Sequence, residues 1–290
     1  MLTNTKSPFL SPKHTQIDEV VALSLKTCIN RFRERPLLYF TEADIQTYLH
    51  KDLMSGNTPK ITMRDGRISL IHREYPTNFR YKKANLISGY PDGKLEDTSL
   101  SNKCIRSRGH FDLVVLNPEF IQAMLDKHQK INLSMEQIIN KSVYRAIDRQ
   151  SDPAGKHSEE ILYAIEIKYL HMFNCKTKSM LDKILMDNEK LSIALWRSNG
   201  FLKPINIVFC SSESPTTIRT YMSQGKVLYP LTEVEHKIKR GILNIYVEAY
   251  FDDNDKKNTD KKKGALTAFC QDPQQWAIDL CKKLNIDLHS

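Results

Sequence analysis

The tripeptide Glu166-Ile167-Lys168 closes an unbroken apolar run, Ile161 to Ile165, in EEILYAIEIKYL. In a β-strand alternate side chains share a face, so Glu166 and Lys168 point one way while Ile165 and Ile167 point the other. A carboxylate and an ammonium are expensive to bury in an otherwise apolar central strand, and such charges pair, hold metal or do chemistry. The same spacing recurs in Glu235-His236-Lys237, but there the setting, EVEHKIKR, is polar and a solvated face accounts for it. Asp112 is the second chemical residue: it heads the apolar run Leu113 to Leu116 in HFDLVVLNP. If the two strands are neighbours, Asp112 and Glu166 offer two hard oxygen ligands to one divalent ion, and the Ile167 main-chain carbonyl offers another. Magnesium held there, with manganese as a substitute, would polarise a phosphate ester and acidify bound water. Lys168, aimed at the same point, would orient the attacking water or stabilise charge in the transition state.

A frame has to bring these residues together. Apolar residues at helical spacing (Val20, Val21, Leu23, Leu25, Cys28, Ile29, Phe32) predict a helix from Ile17 to about Arg35. A second is predicted over EADIQTYLHKDL, with Thr41 as its N-cap. Residues 1–16 are polar and punctuated by proline, and read as a flexible arm without the apolar centre of a signal peptide. RISLIHREYP reads as a strand with Ile68, Leu70, His72 and Glu74 on one face. Residues 85–108 read as a long loop with a basic end.

HFDLVVLNP is a buried strand stopped by Asn-Pro. Helical runs over about 119–129 and 134–150 follow, ahead of the strand that carries Glu166. Beyond that strand come a long helix over about 178–198, a buried strand in PINIVFCSS and a short helix over 214–224. A strand from Ile242 to Phe251, a charged loop of nearly balanced sign (about 252–264) and a closing amphipathic helix (about 273–284) complete the chain. This order predicts an α/β fold with a mixed central sheet, in one domain over 17–290.

The 290 residues are 40% hydrophobic and 27% charged, enough to bury a sizeable core. No stretch approaches the length of a membrane span, and the expected setting is cytoplasmic. The six cysteines are scattered without a CxxC pair, which speaks against a zinc site or a disulfide framework. A net charge of +9 favours a polyanionic partner. Motifs for a nucleotide phosphate loop, a dinucleotide turn, a zinc protease or a hydrolase elbow are absent from the sequence.

A helix glutamate, a strand opening with Asp, then a strand bearing Glu-x-Lys and followed by a helix resemble the PD-(D/E)XK superfamily of restriction-endonuclease-like nucleases. The matching residues are Glu42 in TEADIQTYLHKDL, Asp112 in HFDLVVLNP, and Glu166 with Lys168 in YAIEIKYL, a span of about 41–211. The resemblance implies a restriction-endonuclease-like core with helices on both faces of the mixed sheet. It also implies a Mg2+-dependent phosphodiesterase, a deoxyribonuclease of the endonuclease type. Glu42, Asp112, Glu166 and the Ile167 carbonyl would surround the metal, with Lys168 beside them. Two departures stand out. Phe111 precedes Asp112 where the motif has Pro, and Glu166 follows Asp112 by 54 positions where a short hairpin is usual, so the resemblance makes about 118–150 a helical insertion between adjacent strands. Glu74 is an alternative to Glu42 as third acid. Asp187 and Lys190 resemble a charged helix that follows the Glu-x-Lys strand in relatives, although one polar helix face would account for them. His110 shares the strand face of Asp112 and is a candidate for substrate contact.

Nucleic acid, DNA above all, is the partner these expectations require. Arg73, Arg80, Lys82, Arg106 and Arg108 are candidate contacts, and Tyr75, Phe79 and Tyr81 are interleaved with Arg64, Arg67, Arg73, Arg80, Lys82 and Lys83 as stacking surfaces. A homodimer would suit an enzyme that cuts both strands. The alternative function is a non-catalytic nucleic-acid-binding or scaffold subunit of a defence, repair or mobile-element assembly that keeps the nuclease fold. A protein-interaction module of such an assembly is a further alternative, and would show a large apolar surface.

Overall fold

Strands rich in Ile, Val and Leu form the centre of the molecule. The computed structural model describes residues 12–57, 59, 61–63, 66–82, 106–128, 159–171, 177–212, 241–250 and 264–289. In chain order the elements are α1 (Pro12–Glu34), a 3-10 turn (Pro36–Leu38), α2 (Glu42–Ser55), β1 (Ile61–Met63), β2 (Gly66–Ile68), β3 (Ile71–Lys82) and β4 (Arg106–Leu116). There follow α3 (Pro118–His128), β5 (Ile161–His171), α4 (Thr177–Arg197), β6 (Lys203–Ser212), β7 (Leu243–Tyr250), β8 (Leu266–Phe269), α5 (Gln275–Leu284) and β9 (Leu288–His289).

Strands β3 to β9 make one seven-stranded mixed sheet in sequential order. β3, β4 and β5 run antiparallel to one another, β5, β6 and β7 are parallel, β8 is antiparallel to β7, and β9 is parallel to β8. The chain is thus an α/β protein with a mixed sheet. The parallel strands carry the most continuous apolar runs because both their faces are covered: Leu162–Ile167, Leu202–Ser211 and Ile242–Ala249 are buried throughout.

Helices reach both faces. α1 lies against the odd-numbered face of β5, where the Tyr163 hydroxyl donates to Asp18 at 2.7 Å and Tyr169 packs edge-on against Phe32. On the even-numbered face α4 brings Lys190 to Glu166, and Asn206 Nδ2 to the Ile184 carbonyl at 3.5 Å. α2 is tied to α1 by a paired hydrogen bond from Arg31 to Asp52, at 3.0 and 3.2 Å. Its first turn is closed by a capping box between Thr41 and Asp44.

Several boundaries differ from the sequence reading. α1 begins at Pro12, so Pro12–Gln16 are helical rather than part of an arm, and His14 is buried against Asn117; residues 1–11 lie outside the described residues. RISLIHREYP is two strands, not one. The Ser69 hydroxyl takes the Ile71 N–H at 3.1 Å and interrupts the ladder, leaving Ile68 in the small β1–β2 hairpin. Arg106 and Arg108 belong to β4, not to a loop. β8 and β9 carry too few residues to stand out as periodic runs. The second half of the insertion (129–150), the helix over 214–224 and nearly all of the charged loop (251–263) lie outside the described residues. Among the described residues no helix is long and apolar enough to cross a membrane.

Candidate active site

The two chemical strands are direct neighbours despite the 54 positions that separate Asp112 from Glu166. β4 pairs with β5 in antiparallel register through Leu113↔Ile165 and Val114↔Ala164, and the ladder stops there. One step further, where Asp112 comes level with Glu166, the side chain replaces the ladder: Asp112 Oδ2 accepts the Ile167 N–H at 2.6 Å. The open end of the ladder, inside both strands, places both carboxylates on the face covered by α4.

Two lysines and two further acids complete the group. Lys168 Nζ lies 3.2 Å from Glu42 Oε1 at the start of α2, and 2.9 Å from Asp187 Oδ2 on α4. The same ammonium donates to the Ile167 carbonyl at 3.1 Å. Lys190, also on α4, lies 2.7 Å from Glu166 Oε1 and 3.4 Å from Asp187 Oδ1, and donates to the His110 carbonyl at 2.7 Å. A chain of ion pairs therefore runs from Glu42 through Lys168, Asp187 and Lys190 to Glu166. Four carboxylates face two ammoniums, an excess of two negative charges when all are ionised.

The balance is incomplete at Glu166. This residue is 0% exposed, and its Oε2 accepts no hydrogen bond among the described residues. Burial drives its pKa well above the ordinary carboxylate range; Asp187 and Asp112 add to the rise and Lys190 opposes it. For Asp112 burial is again the largest cause, raising the carboxyl to about 6 against the pull of Lys168 and the Ile167 N–H. Burial also works against the charge on Lys168, but Asp187, Glu42 and Asp112 together outweigh it and keep the ammonium protonated. Beside Glu166 on the next strand stands Asn206, fully buried, whose Oδ1 accepts no hydrogen bond among the described residues.

The expected residues converge: Asp112, Glu166, the Ile167 carbonyl, Lys168 and Glu42 lie in one charged group. Glu74, the rival third acid, is exposed, and its φ of 48° turns the chain at the very position where regular alternation would place it on the sheet face. The charges that act on Asp112 come from Lys168, Glu42 and Asp187. Asp187 and Lys190 are fully part of the group, so a plain polar helix face does not describe them. His110 is exposed and meets the group only through its carbonyl. Asn206 was missed, although a lone Asn inside PINIVF, between Ile205 and Ile207, was the signal for it. Among the described residues no three His, Cys, Asp or Glu side chains already form a metal cage. What a hard cation finds here is the orphaned Glu166 Oε2, Asp112 and a main-chain carbonyl, a donor set that suits magnesium completed by water and phosphate.

The basic residues separate into groups. Arg73 is exposed and braced on α2, with Nη1 donating to Thr47 at 3.1 Å. The β3–β4 register sets Arg80 opposite Arg108 and Lys82 opposite Arg106. Tyr75 is no stacking surface, because it is buried with its hydroxyl on Glu160. No family model matches the chain, and no curated protein or solved structure matches it either.

Proposed function

We propose that this protein is a divalent-metal-dependent nuclease of the restriction-endonuclease-like type, cutting phosphodiester bonds in DNA. The single observation that carries this reading is the buried Oε2 of Glu166, which accepts no hydrogen bond among the described residues and lies level with Asp112 where the β4–β5 ladder stops. A buried carboxylate oxygen without a donor is a standing cost, and folded proteins keep such a cost where a ligand relieves it. The order helix, three antiparallel strands, helix, parallel strand (α2, β3, β4, β5, α4, β6) supports the resemblance that the motif suggested.

Asp112, Glu166 and the Ile167 carbonyl would hold Mg2+ or Mn2+, which supplies Lewis-acid polarisation of the phosphate and a more acidic water. Lys168, kept charged by Asp187 and Glu42, presents its ammonium to the phosphate oxygens or to the incoming water. Glu42 acts by positioning that ammonium from the start of α2. The β3–β4 register gathers the basic positions Arg80, Lys82, Arg106 and Arg108 at one end of a strand pair, and such a basic stretch suits an anionic backbone.

The test is cleavage of supercoiled plasmid and single-stranded DNA with Mg2+ or Mn2+. Wild type should cut, EDTA should stop it, and Asp112→Ala and Lys168→Ala should each reduce the rate by about 1,000-fold. Failure of wild type to cut either substrate with either metal would overturn the reading.

A further inference from the structure

Just before α2 the chain reads Pro36-Leu37-Leu38-Tyr39-Phe40-Thr41-Glu42, and three of these side chains are apolar and open to solvent. Phe40 is 82% exposed, Leu37 53% and Leu38 46%. Scattered surface apolar residues need no explanation. Here, however, the three fall within four positions on the rim of a charged site.

The main chain beneath them is fixed on both sides. Upstream, Tyr39 is buried between Phe32 and Tyr48, at ring distances of 5.4 and 5.5 Å, and its carbonyl accepts the Tyr169 hydroxyl at 3.0 Å. Downstream, the Phe40 and Thr41 N–H groups both donate to Asp44 Oδ2, at 2.9 and 2.8 Å, and Glu42 reaches Lys168. Tyr169 and Lys168 are consecutive on β5, so Phe40 is clamped between two contacts to the catalytic strand. Its ring has no aromatic partner among the described residues. A rigid backbone that holds an aromatic face in water beside a phosphate-directed site is built to receive something flat and apolar.

We propose that Phe40, shouldered by Leu37 and Leu38, is a base-stacking platform, and that the substrate carries an unpaired nucleotide next to the phosphodiester that is cut. This rests on the nuclease reading. What lies one nucleotide from a phosphate at Lys168 is a sugar and a base. In a duplex that base keeps its faces stacked inside the helix, whereas an unpaired base offers a face to an aromatic side chain. Single strands, flaps and junctions all supply that chemistry.

The experiment uses the full chain in EDTA, with 2-aminopurine oligonucleotides as single strand, blunt duplex and duplex with a three-nucleotide flap. Wild type should bind the single strand or flap more tightly than the duplex and change the 2-aminopurine fluorescence. Phe40→Ala should weaken that binding by about 5- to 100-fold and abolish the fluorescence change, leaving duplex binding as it was. Phe40→Trp should retain both. The platform is overturned if Phe40→Ala binds single strand and flap like wild type, or if the substitution only changes the sedimenting mass, which would make the patch a self-association surface. Cleavage is scored separately with Mg2+. Cutting that depends on Asp112 and Lys168 but not on Phe40 removes the platform and leaves the nuclease reading standing. A Phe40-dependent fluorescence change without cutting does the reverse.

Discussion

Two glutamates, Glu166 on β5 and Glu248 on β7, are buried in the same sheet and treated in opposite ways. Glu248 is 4% exposed and fully answered: Oε1 accepts the Tyr246 hydroxyl at 2.8 Å, and Oε2 accepts the Tyr250 hydroxyl at 2.8 Å and the Ala265 N–H at 2.9 Å. The chain comes so close beside it that a Cβ on Gly264 would lie 2.5 Å from the Glu248 Cβ, so only glycine fits. Among the described residues Glu166 has one ion pair, with Lys190, and an Oε2 that accepts no hydrogen bond. Burial alone therefore says little about a carboxylate. Where each oxygen has a donor the charge is architecture, and where one oxygen is left over beside a second acid the charge is available for work.

The largest test of that contrast is catalytic. Glu166→Gln should lower metal-dependent cleavage by about 1,000-fold without reducing stability, since it removes a buried charge while Lys190 keeps Asp187 and the His110 carbonyl. Glu248→Gln should do the opposite, cutting like wild type while losing about 2 kcal/mol in urea unfolding, because one amide oxygen cannot serve all three donors. Equal behaviour of the two variants in both assays would erase the distinction.

Lys190→Met addresses the one partner Glu166 does have. With Mg2+ absent the variant should lose about 3 kcal/mol of stability, because Glu166 is left buried without its cation. Added Mn2+ should return part of it. An unchanged unfolding midpoint in EDTA would show that Lys190 carries no charge for Glu166.

The smallest effect concerns a third buried acid, Glu160, whose pKa burial raises while the Tyr75 hydroxyl opposes the rise. A carboxyl with a raised folded-state pKa supports the fold fully below its unfolded value, and that support is lost as pH rises through the folded value. Glu160→Gln should thus be more stable than wild type at neutral pH, the gain shrinking towards pH 4. Urea midpoints at the two pH values decide it, and a gain that grows on acidification would reverse the assignment.

Much of the site was legible because it rests on local pattern. A charged pair two residues apart in an apolar strand, and an Asp at the head of another, identify Glu166, Lys168 and Asp112 without coordinates. Asp187 and Lys190 were visible too, but a helix face of Asp, Asn, Glu and Lys looks the same whether it meets water or a buried glutamate. Glu248 escaped notice because a single Glu in NIYVEAY gives no hint of the donors that surround it.

The sequence by itself determined the central strands, the long helices with the Thr41 cap, and the residue types of the site, because these follow from periodicity and side-chain chemistry over a few neighbouring positions. The tertiary structure alone decided that β4 and β5 pair across the long insertion, that Glu42 rather than Glu74 joins Lys168, and that Glu166 keeps an oxygen unanswered. Those outcomes depend on which distant segments come within a few ångströms of one another, and on a positive φ at Glu74. No local pattern encodes either.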